Sequence, residues 1–447
     1  MHRQRPRPMP TLQLCDTCGH TLPELDPRTE CPACGGLLSL RLDPPAERGA
    51  ALRALFDTRL ADAAPNHVAG GADAVRASGV WRFRELVLPS VADAEIVSQP
   101  EGNTPLYDRA TVARWAGVER LLLKHDGHNP SGSFKDRGMT VALTQARRLG
   151  ARAVACASTG NTSASLAAYA SLAGMPGLVF VPSAQVALGK LAQTLAYGAR
   201  TLLVRGDFDD CLRLVREGAE RLGLYVVNSV NPFRIAGQQS AVLEILQQLA
   251  WQPPDWIALP AGNLGNTSAF GMALGAARAL GLIDRVPRLL AVQAAGAAPF
   301  AYAFREGFVE RRRVKADTVA TAIKIGDPAS WDRARRALAE TDGVVTDVND
   351  DEILEAKAAI DAAGIGCEPA SAASVAGVRR MVREGVIAPD ARVVAVLTGH
   401  VLKDPGALID YHREGSTQPL ANAPIEVDAT VEAVGRVLDA ARLVPRS

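Results

Sequence analysis

The sequence has almost no net charge. Its 447 residues hold 49 basic and 48 acidic side chains, a formal balance of +1. Such a chain has no general attraction for nucleic acid or for an anionic membrane, so any cationic site must be local. It also lacks long uninterrupted apolar runs. A stretch such as LLAVQAAGAAPFAYAF is alanine-rich and broken by Gln293 and Pro299, which suits a buried element better than a membrane span. The opening HRQRPRP is basic and proline-rich and has no apolar stretch of the secretory kind, so it reads as a disordered tail. Seven cysteines, an odd number in a long chain, argue against a disulfide framework and for a reducing cytoplasm. There is no internal repeat and no low-complexity tract.

Four of those cysteines are concentrated at the start. Cys15 and Cys18 lie in CDTC, Cys31 and Cys34 in CPAC, with twelve residues between the pairs. This is the spacing of a structural zinc ribbon, with Gly19, Gly35 and Gly36 supplying tight turns. Four thiolates leave no open coordination position, so such a zinc would hold structure and do no chemistry. The alternative is four free thiols in a loop. A binding module for nucleic acid or protein would need basic residues interleaved with aromatics here. The ribbon has instead a net acidic sequence, with His20 its only ring.

Residues 1–44 thus form a tail and ribbon, and residues 45–104 a helical extension or linker. From about 105 to 405, short β-rich runs (LLLKH, AVACAS, GLVFVP, TLLVR, LYVVNS, WIALP, LLAVQ, VVTDV, VVAVLTG) alternate with amphipathic helices. That alternation predicts an α/β fold, a mostly parallel sheet covered by helices on both faces. Residues 406–447 read as a polar stretch with one last helix, VEAVGRVLDAARL.

In such folds ligands bind beyond the carboxyl ends of strands. Four strand-end turns stand out. Ser158, Thr159, Gly160, Asn161, Thr162 and Ser163 offer hydroxyls, an amide and backbone N–H groups where a helix begins, which suits an anion; a plain helix cap would need only one of them. Gly262, Asn263, Leu264, Gly265 and Asn266 form a second glycine-rich turn, fit for a phosphate but common in strand–helix connections. Thr398 and Gly399 end the last strand run. Arg234 lies near Asn228 and Asn231, placed either to bind phosphate or carboxylate or to make a surface salt bridge. Lys135, inside NPSGSFKDRG, is crowded by small residues that would let a flat aldehyde approach; otherwise it is a solvated loop lysine.

NPSGSFKDRG, STGNTSAS, GNLGN and LTGHVLKD, in that order across roughly residues 100 to 405, together resemble the threonine synthase family. The resemblance implies a pyridoxal-phosphate enzyme of fold type II, with two parallel-sheet lobes; an N-terminal zinc ribbon occurs in some microbial members. It further implies that Lys135 carries the cofactor's aldehyde and that Phe134 packs beside the ring. Asn161 would meet the phenolic oxygen, Gly262 to Asn266 the cofactor phosphate, and Thr398 the pyridine nitrogen. Ser158, Thr159 and Thr162 would grip the substrate carboxylate, and Lys124, Ser131, Asn228 and Arg234 the substrate phosphate. His125-Asp126 departs from the family, whose members often carry a longer acidic residue there. The implied reaction converts O-phospho-L-homoserine and water to L-threonine and phosphate. The alternatives on the same scaffold are a threonine dehydratase or a cysteate-synthase-like enzyme acting on phosphoserine. The partner would be a small phosphorylated amino acid, and homodimerisation stays open.

Overall fold

A computed structural model describes residues 11–63, 71–185, 188–418 and 420–442. The basic tail expected to be disordered, residues 1–10, lies outside the described residues. The first strands, β1 (Leu12–Cys15), β2 (Thr21–Pro23) and β3 (Leu38–Arg41), form a small antiparallel sheet in the order β2-β1-β3. Its core is Cys15, Leu22, Cys31 and Leu38.

Ten further strands follow: β4 (Leu106–Asp108), β5 (Arg120–His125), β6 (Ala153–Ala157), β7 (Gly177–Pro182), β8 (Arg200–Val204), β9 (Leu224–Val226), β10 (Trp256–Pro260), β11 (Arg288–Ala294), β12 (Val344–Val348) and β13 (Arg392–Leu397). They build two sheets, β12-β11-β10-β13-β5-β4 and β8-β7-β6-β9, parallel throughout except for β4. Apart from the edge strands β4 and β8, which have no buried residue, the strands are buried on both faces, which is why most of them read as continuous apolar runs. Leu122, Ile257, Leu259 and Val394 enter one core, while Leu121, Leu123, Ala258 and Val393 enter the core on the opposite face. Val154 and Cys156 likewise point away from Ala153 and Ala155. This is the two-residue period of a pleated strand.

The smaller sheet is an insertion between β5 and β10. The chain leaves through the helix Lys135–Arg148 and returns through the helix Pro232–Gln238. The two helices pack so closely that only glycine fits at the contact. A Cβ on Gly138 would stand 2.7 Å from the Arg234 carbonyl oxygen, and one on Gly237 would overlap the Arg137 carbonyl. That contact sets Arg234 beside the turn that carries Lys135.

Residues 45–104 are more than a linker. The helix Gly49–Asp62 buries Leu52 and Phe56, and Trp81, Phe83, Leu86 and Val87 join the same core as β10 and β11. The described chain divides into two compact units, Met1–Asp404 and Pro405–Ser447. The second contains the helices Pro405–Tyr411 and Val431–Arg442. Among the described residues no helix is long and apolar enough to cross a membrane.

A buried ionic cluster holds the base of the larger lobe. Glu244 accepts from Lys124 Nζ (2.7 Å), Arg137 Nη2 (2.8 Å) and the Asn103 N–H (2.6 Å), while Arg137 also pairs with Asp126 at 2.8 Å. All four charged side chains are essentially inaccessible. Burial alone would raise the Glu244 carboxyl, but Arg137 and Lys124 outweigh it and hold it far below the ordinary carboxylate range. A depressed carboxyl contributes stability above its unfolded pKa and loses it as pH falls through that value toward the folded one. Glu244→Gln leaves the buried Lys124 without its counter-ion and Arg137 with Asp126 alone, so about 3–5 kcal/mol of unfolding free energy should be lost in neutral denaturant titrations. The acid limb of stability against pH should also flatten. An unchanged denaturation midpoint would refute the role given to this carboxylate.

Candidate active site

The loop between β5 and the helix Lys135–Arg148 is fixed from two sides. The Phe134 N–H donates to the Thr398 carbonyl (2.9 Å), the His400 N–H donates to the Gly132 carbonyl (2.9 Å), and Ser133 bridges Gly399. Gly132 has φ +87°, and a Cβ on it would press on Lys403 Cε at 2.8 Å. On the other side Asp136 accepts from the Ser131 N–H (2.6 Å) and the hydroxyls of Ser131 and Ser165 (both 2.5 Å). The small residues around Lys135 therefore allow three chain segments to meet. Lys135 is partly buried, with Nζ 4.1 Å from the centre of the Phe134 ring. Burial draws its amine down to about 7; the positive charge of Arg234 acts in the same direction and Glu368 opposes both.

At the end of β6, Ser158 accepts from the Gly160 N–H (3.3 Å) and Ser163 donates to the Gly160 carbonyl (2.8 Å). The turn feeds the helix Asn161–Leu172. Ser158, Thr159 and Asn161 are half-buried, and Thr162 is buried just behind them. Asn161 Nδ2 donates to Glu368 Oε2 at 2.9 Å.

Arg234 is fully buried. Its Nη1 donates to the Val227 carbonyl at 2.9 Å, while Nε and Nη2 have no partner. No carboxylate is paired with it among the described residues. Burial lowers its pKa to about 10, with the Cys156 thiol opposing, so it stays charged at neutral pH. A buried guanidinium with two idle donors calls for an anion.

The turn after β10 has the same character. Leu264 takes a left-handed conformation (φ +62°) and Gly265 opens the helix Gly265–Ala279. Around that helix start, Asn266 Nδ2, Thr267 Oγ1, Ser330 Oγ and Gln238 Oε1 are buried without partners. Gln238 Oε1 and Ser330 Oγ lie 3.8 and 3.9 Å from where a Gly265 Cβ would stand. Asn263 braces the turn rather than lining it: its Oδ1 accepts the Ala329 N–H (2.6 Å) and its carbonyl the Ser330 N–H (3.2 Å). The donors among these, Asn266 Nδ2, Thr267 Oγ1 and Ser330 Oγ, at a helix N-terminus fit a phosphate monoester, while Gln238 Oε1 is an idle acceptor.

Thr398, buried at the end of β13, lies 3.0 Å from Ser371 Oγ and 3.4 Å from Glu368 Oε1. Lys135, Asn161, Thr398, Arg234 and the cup at Gly265 are thus drawn together at strand and helix ends.

Three expected substrate contacts have other duties. The Lys124 ammonium is fully buried and donates to Glu244, the Thr104 carbonyl (2.8 Å) and Gln248 (2.9 Å), so it is no free phosphate donor. The Ser131 hydroxyl is bound to Asp136. Asn228 clamps two strand ends, accepting the Ala157 N–H (3.1 Å) and donating to the Ala157 carbonyl (3.0 Å). Glu368, Ser371, Gln238, Ser330 and Lys403 escaped the sequence reading. Only the TGHVLKD run hinted at Lys403; Glu368, Ser371 and Ser330 lie in unremarkable helix starts, and Gln238 ends a helix.

The cysteine cluster is separate. The sulfurs of Cys15, Cys18, Cys31 and Cys34 all lie within 4.8 Å of one another. The individual spacings of 3.4, 3.5 and 3.7 Å approach the roughly 3.8 Å edge expected of four thiolates about 2.3 Å from one zinc. Four convergent thiols of this kind suit a thiophilic ion.

Comparison with known proteins agrees with this geometry. Residues 97–399 match the family described as pyridoxal-phosphate dependent enzyme. Threonine synthase from Methanocaldococcus jannaschii is 40% identical over 429 residues, covering 96% of this chain and 99% of the relative. Threonine synthase from Methanosarcina acetivorans is 45% identical over 357 residues, covering 79% of this chain and 85% of the relative. The crystal structure of threonine synthase from Escherichia coli superposes with a TM-score of 0.66 over 95% of this chain and 94% of that one, at 17% identity, a likeness of fold. The chain belongs to the pyridoxal-phosphate dependent enzymes.

Proposed function

We propose that this protein is a threonine synthase that converts O-phospho-L-homoserine and water to L-threonine and phosphate. The single observation that carries the substrate is the idle guanidinium of Arg234, a second anion site beside the cup at Gly265. A threonine dehydratase, the alternative on this scaffold, would bring no second phosphate for it. The threonine synthases at 40% and 45% identity support the same reading.

Pyridoxal phosphate, when bound, supplies an electron sink for a carbanion on the substrate. The backbone N–H groups of the turn from Gly262 to Asn266, with Asn266, Thr267 and Ser330, would hold its phosphate. Asn161 and Thr398 would meet the ring's polar edges, and Phe134 its flank. Lys135 would carry the aldehyde and, once displaced, act as the base. Its low pKa leaves much of the amine neutral near pH 7 and so able to take a proton. The reaction needs protons to leave Cα and Cβ, the Cγ–O bond to break with departure of phosphate, water to add at Cβ, and protons to return to Cα and Cγ. A single amine between those carbons can serve several of these transfers. Ser158, Thr159 and Thr162, at the start of the helix Asn161–Leu172, would hold the α-carboxylate, and Arg234 the departing phosphate through paired N–H donors. The four-cysteine ribbon would hold a structural zinc. A cytoplasmic site of action is consistent with seven cysteines that are all free thiols.

Borohydride reduction of holoenzyme followed by peptide mapping should place the pyridoxyl group on Lys135. Lys135→Ala should lose that label and at least about 10³-fold in turnover; a label elsewhere would refute the assignment. Arg234→Gln should lower kcat/KM for O-phospho-L-homoserine by roughly 10–10²-fold, the worth of one or two charged hydrogen bonds, with cofactor affinity nearly unchanged. Equal losses in both would count against a substrate role. Metal analysis of purified protein should find one zinc per chain, abolished in a Cys15→Ala, Cys31→Ala double variant; retention of zinc by that variant would sink the ribbon site.

A further inference from the structure

Glu368 is a buried carboxylate, 3% exposed, with no salt-bridge partner among the described residues. It occupies the position before the helix Pro369–Arg383 and makes no capping bond. The carboxylate turns outward instead. Oε2 accepts from Asn161 Nδ2 at 2.9 Å and Oε1 lies 3.4 Å from Thr398 Oγ1. The Glu368 N–H also donates to the Gly399 carbonyl (3.1 Å), and a side chain on Gly399 would collide with the carboxyl group. Three elements therefore converge to hold one unpaired carboxylate, an arrangement that costs stability unless it serves the site.

We propose that Glu368 is a positioning residue for the reaction: its carboxylate orients the Asn161 amide and the Thr398 hydroxyl toward the cofactor ring and sets the charge beside Lys135. This rests on the reading of Asn161, Thr398 and Lys135 as cofactor contacts given above. An amide group has two N–H bonds and can flip. Binding one of them to a pure acceptor fixes which end is nitrogen and leaves the second N–H for the ring's phenolic oxygen. The Thr398 hydroxyl has one proton and is shared between Glu368 and Ser371, whose oxygen already accepts the Gly399 N–H at 2.9 Å.

The charges around the pair are few. Lys135 feels the charge of Arg234, in the helix Pro232–Gln238, and that of Glu368, before the helix Pro369–Arg383. Glu368 faces Lys135 and Lys403, and Lys403 also faces Asp136. Burial raises the Glu368 carboxyl above the ordinary carboxylate range, and Asn161, the two lysines and Thr398 offset this only in part. On Lys135, only Glu368 opposes the downward action of burial and Arg234. Neutralising Glu368 must then lower the lysine's pKa further.

The test uses the full-length chain cleared of cofactor, with pyridoxal phosphate as the probe. The rate at which bound absorbance develops is followed against pH, and its midpoint reports deprotonation of Lys135, about 7 in the native chain. Glu368→Gln should move that midpoint to lower pH by several tenths of a unit and weaken cofactor binding about fivefold or more. Glu368→Asp keeps the charge but withdraws it from Asn161, so affinity should fall while the midpoint holds. It also serves if the glutamine variant does not fold. A midpoint and affinity both unchanged in Glu368→Gln, or an affinity unchanged in Glu368→Asp, would overturn the proposal. Pyridoxyl mapping of the native chain separates the two levels. A label on Lys135 with indifferent Glu368 variants rejects only this inference; a label elsewhere rejects the site itself.

Discussion

The site depends on one short piece of backbone pairing. Phe134 donates to Thr398 and His400 donates to Gly132, which fastens the loop before Lys135 to the loop after β13. The two loops end neighbouring strands, β5 and β13, paired in register from Arg120↔Arg392 to His125↔Leu397. The sheet therefore delivers both loops to the same edge, and the cross-loop hydrogen bonds close the remaining distance. Had either strand slipped by one residue, every side chain on it would have changed faces and the Phe134–Thr398 and His400–Gly132 hydrogen bonds would have lost their register. The requirement for small residues follows: Gly132, Ser133 and Gly399 leave room for the second chain.

Buried charge sorts the molecule into parts that hold and parts that act. Lys124, Arg137, Asp126 and Glu244 are charged and inaccessible, but each is paired, and the cluster holds β5 against the helices behind it. Arg234 and Glu368 are equally inaccessible and have no opposite charge bonded to them. Folding alone gains nothing from such groups, since an uncompensated buried charge is costly. Both flank Lys135, and they bias its amine in opposite directions. The distinction between a scaffold charge and a working charge is thus the presence or absence of a partner, and residue type does not reveal it.

That is also where the sequence stopped being legible. The alternation of β-rich and helical runs gave nine strands close to where they lie, because most of these strands are buried on two faces and their runs are mainly apolar. The turns could be read for a related reason: glycines, hydroxyls and amides gathered at a strand end have few other uses. Direction could not be read. Lys124 is one residue from His125 at the end of a strand, and period-two alternation does not say whether its amine meets a ligand or Glu244. Ser131 and Asn228 were likewise polar residues in promising loops that turned out to be tied to Asp136 and Ala157. Residues 45–104 show helical patterning and read as a linker, yet Phe56, Trp81 and Phe83 pack in the main core. Glu368 was invisible because a glutamate before a proline-led helix looks like an ordinary cap.

The ribbon, though far in chemistry from the lysine, is built into the same framework. Arg333, in the helix Trp331–Glu340, donates to Asp16 between the first two cysteines and to the Leu38 carbonyl; Arg336 pairs with Asp16 as well. The same helix begins beside Ser330, whose N–H is held by Asn263 in the cup, and it packs on the cup's own helix so tightly that Gly271 has no room for a Cβ against Ala337. On its other side the ribbon presents Glu24 to Arg148 and Gln145, near the far end of the helix that starts at Lys135. A small sheet with a core of only four residues could not hold such a position by apolar burial alone. Four thiolates converging on one ion would supply the rigidity it lacks.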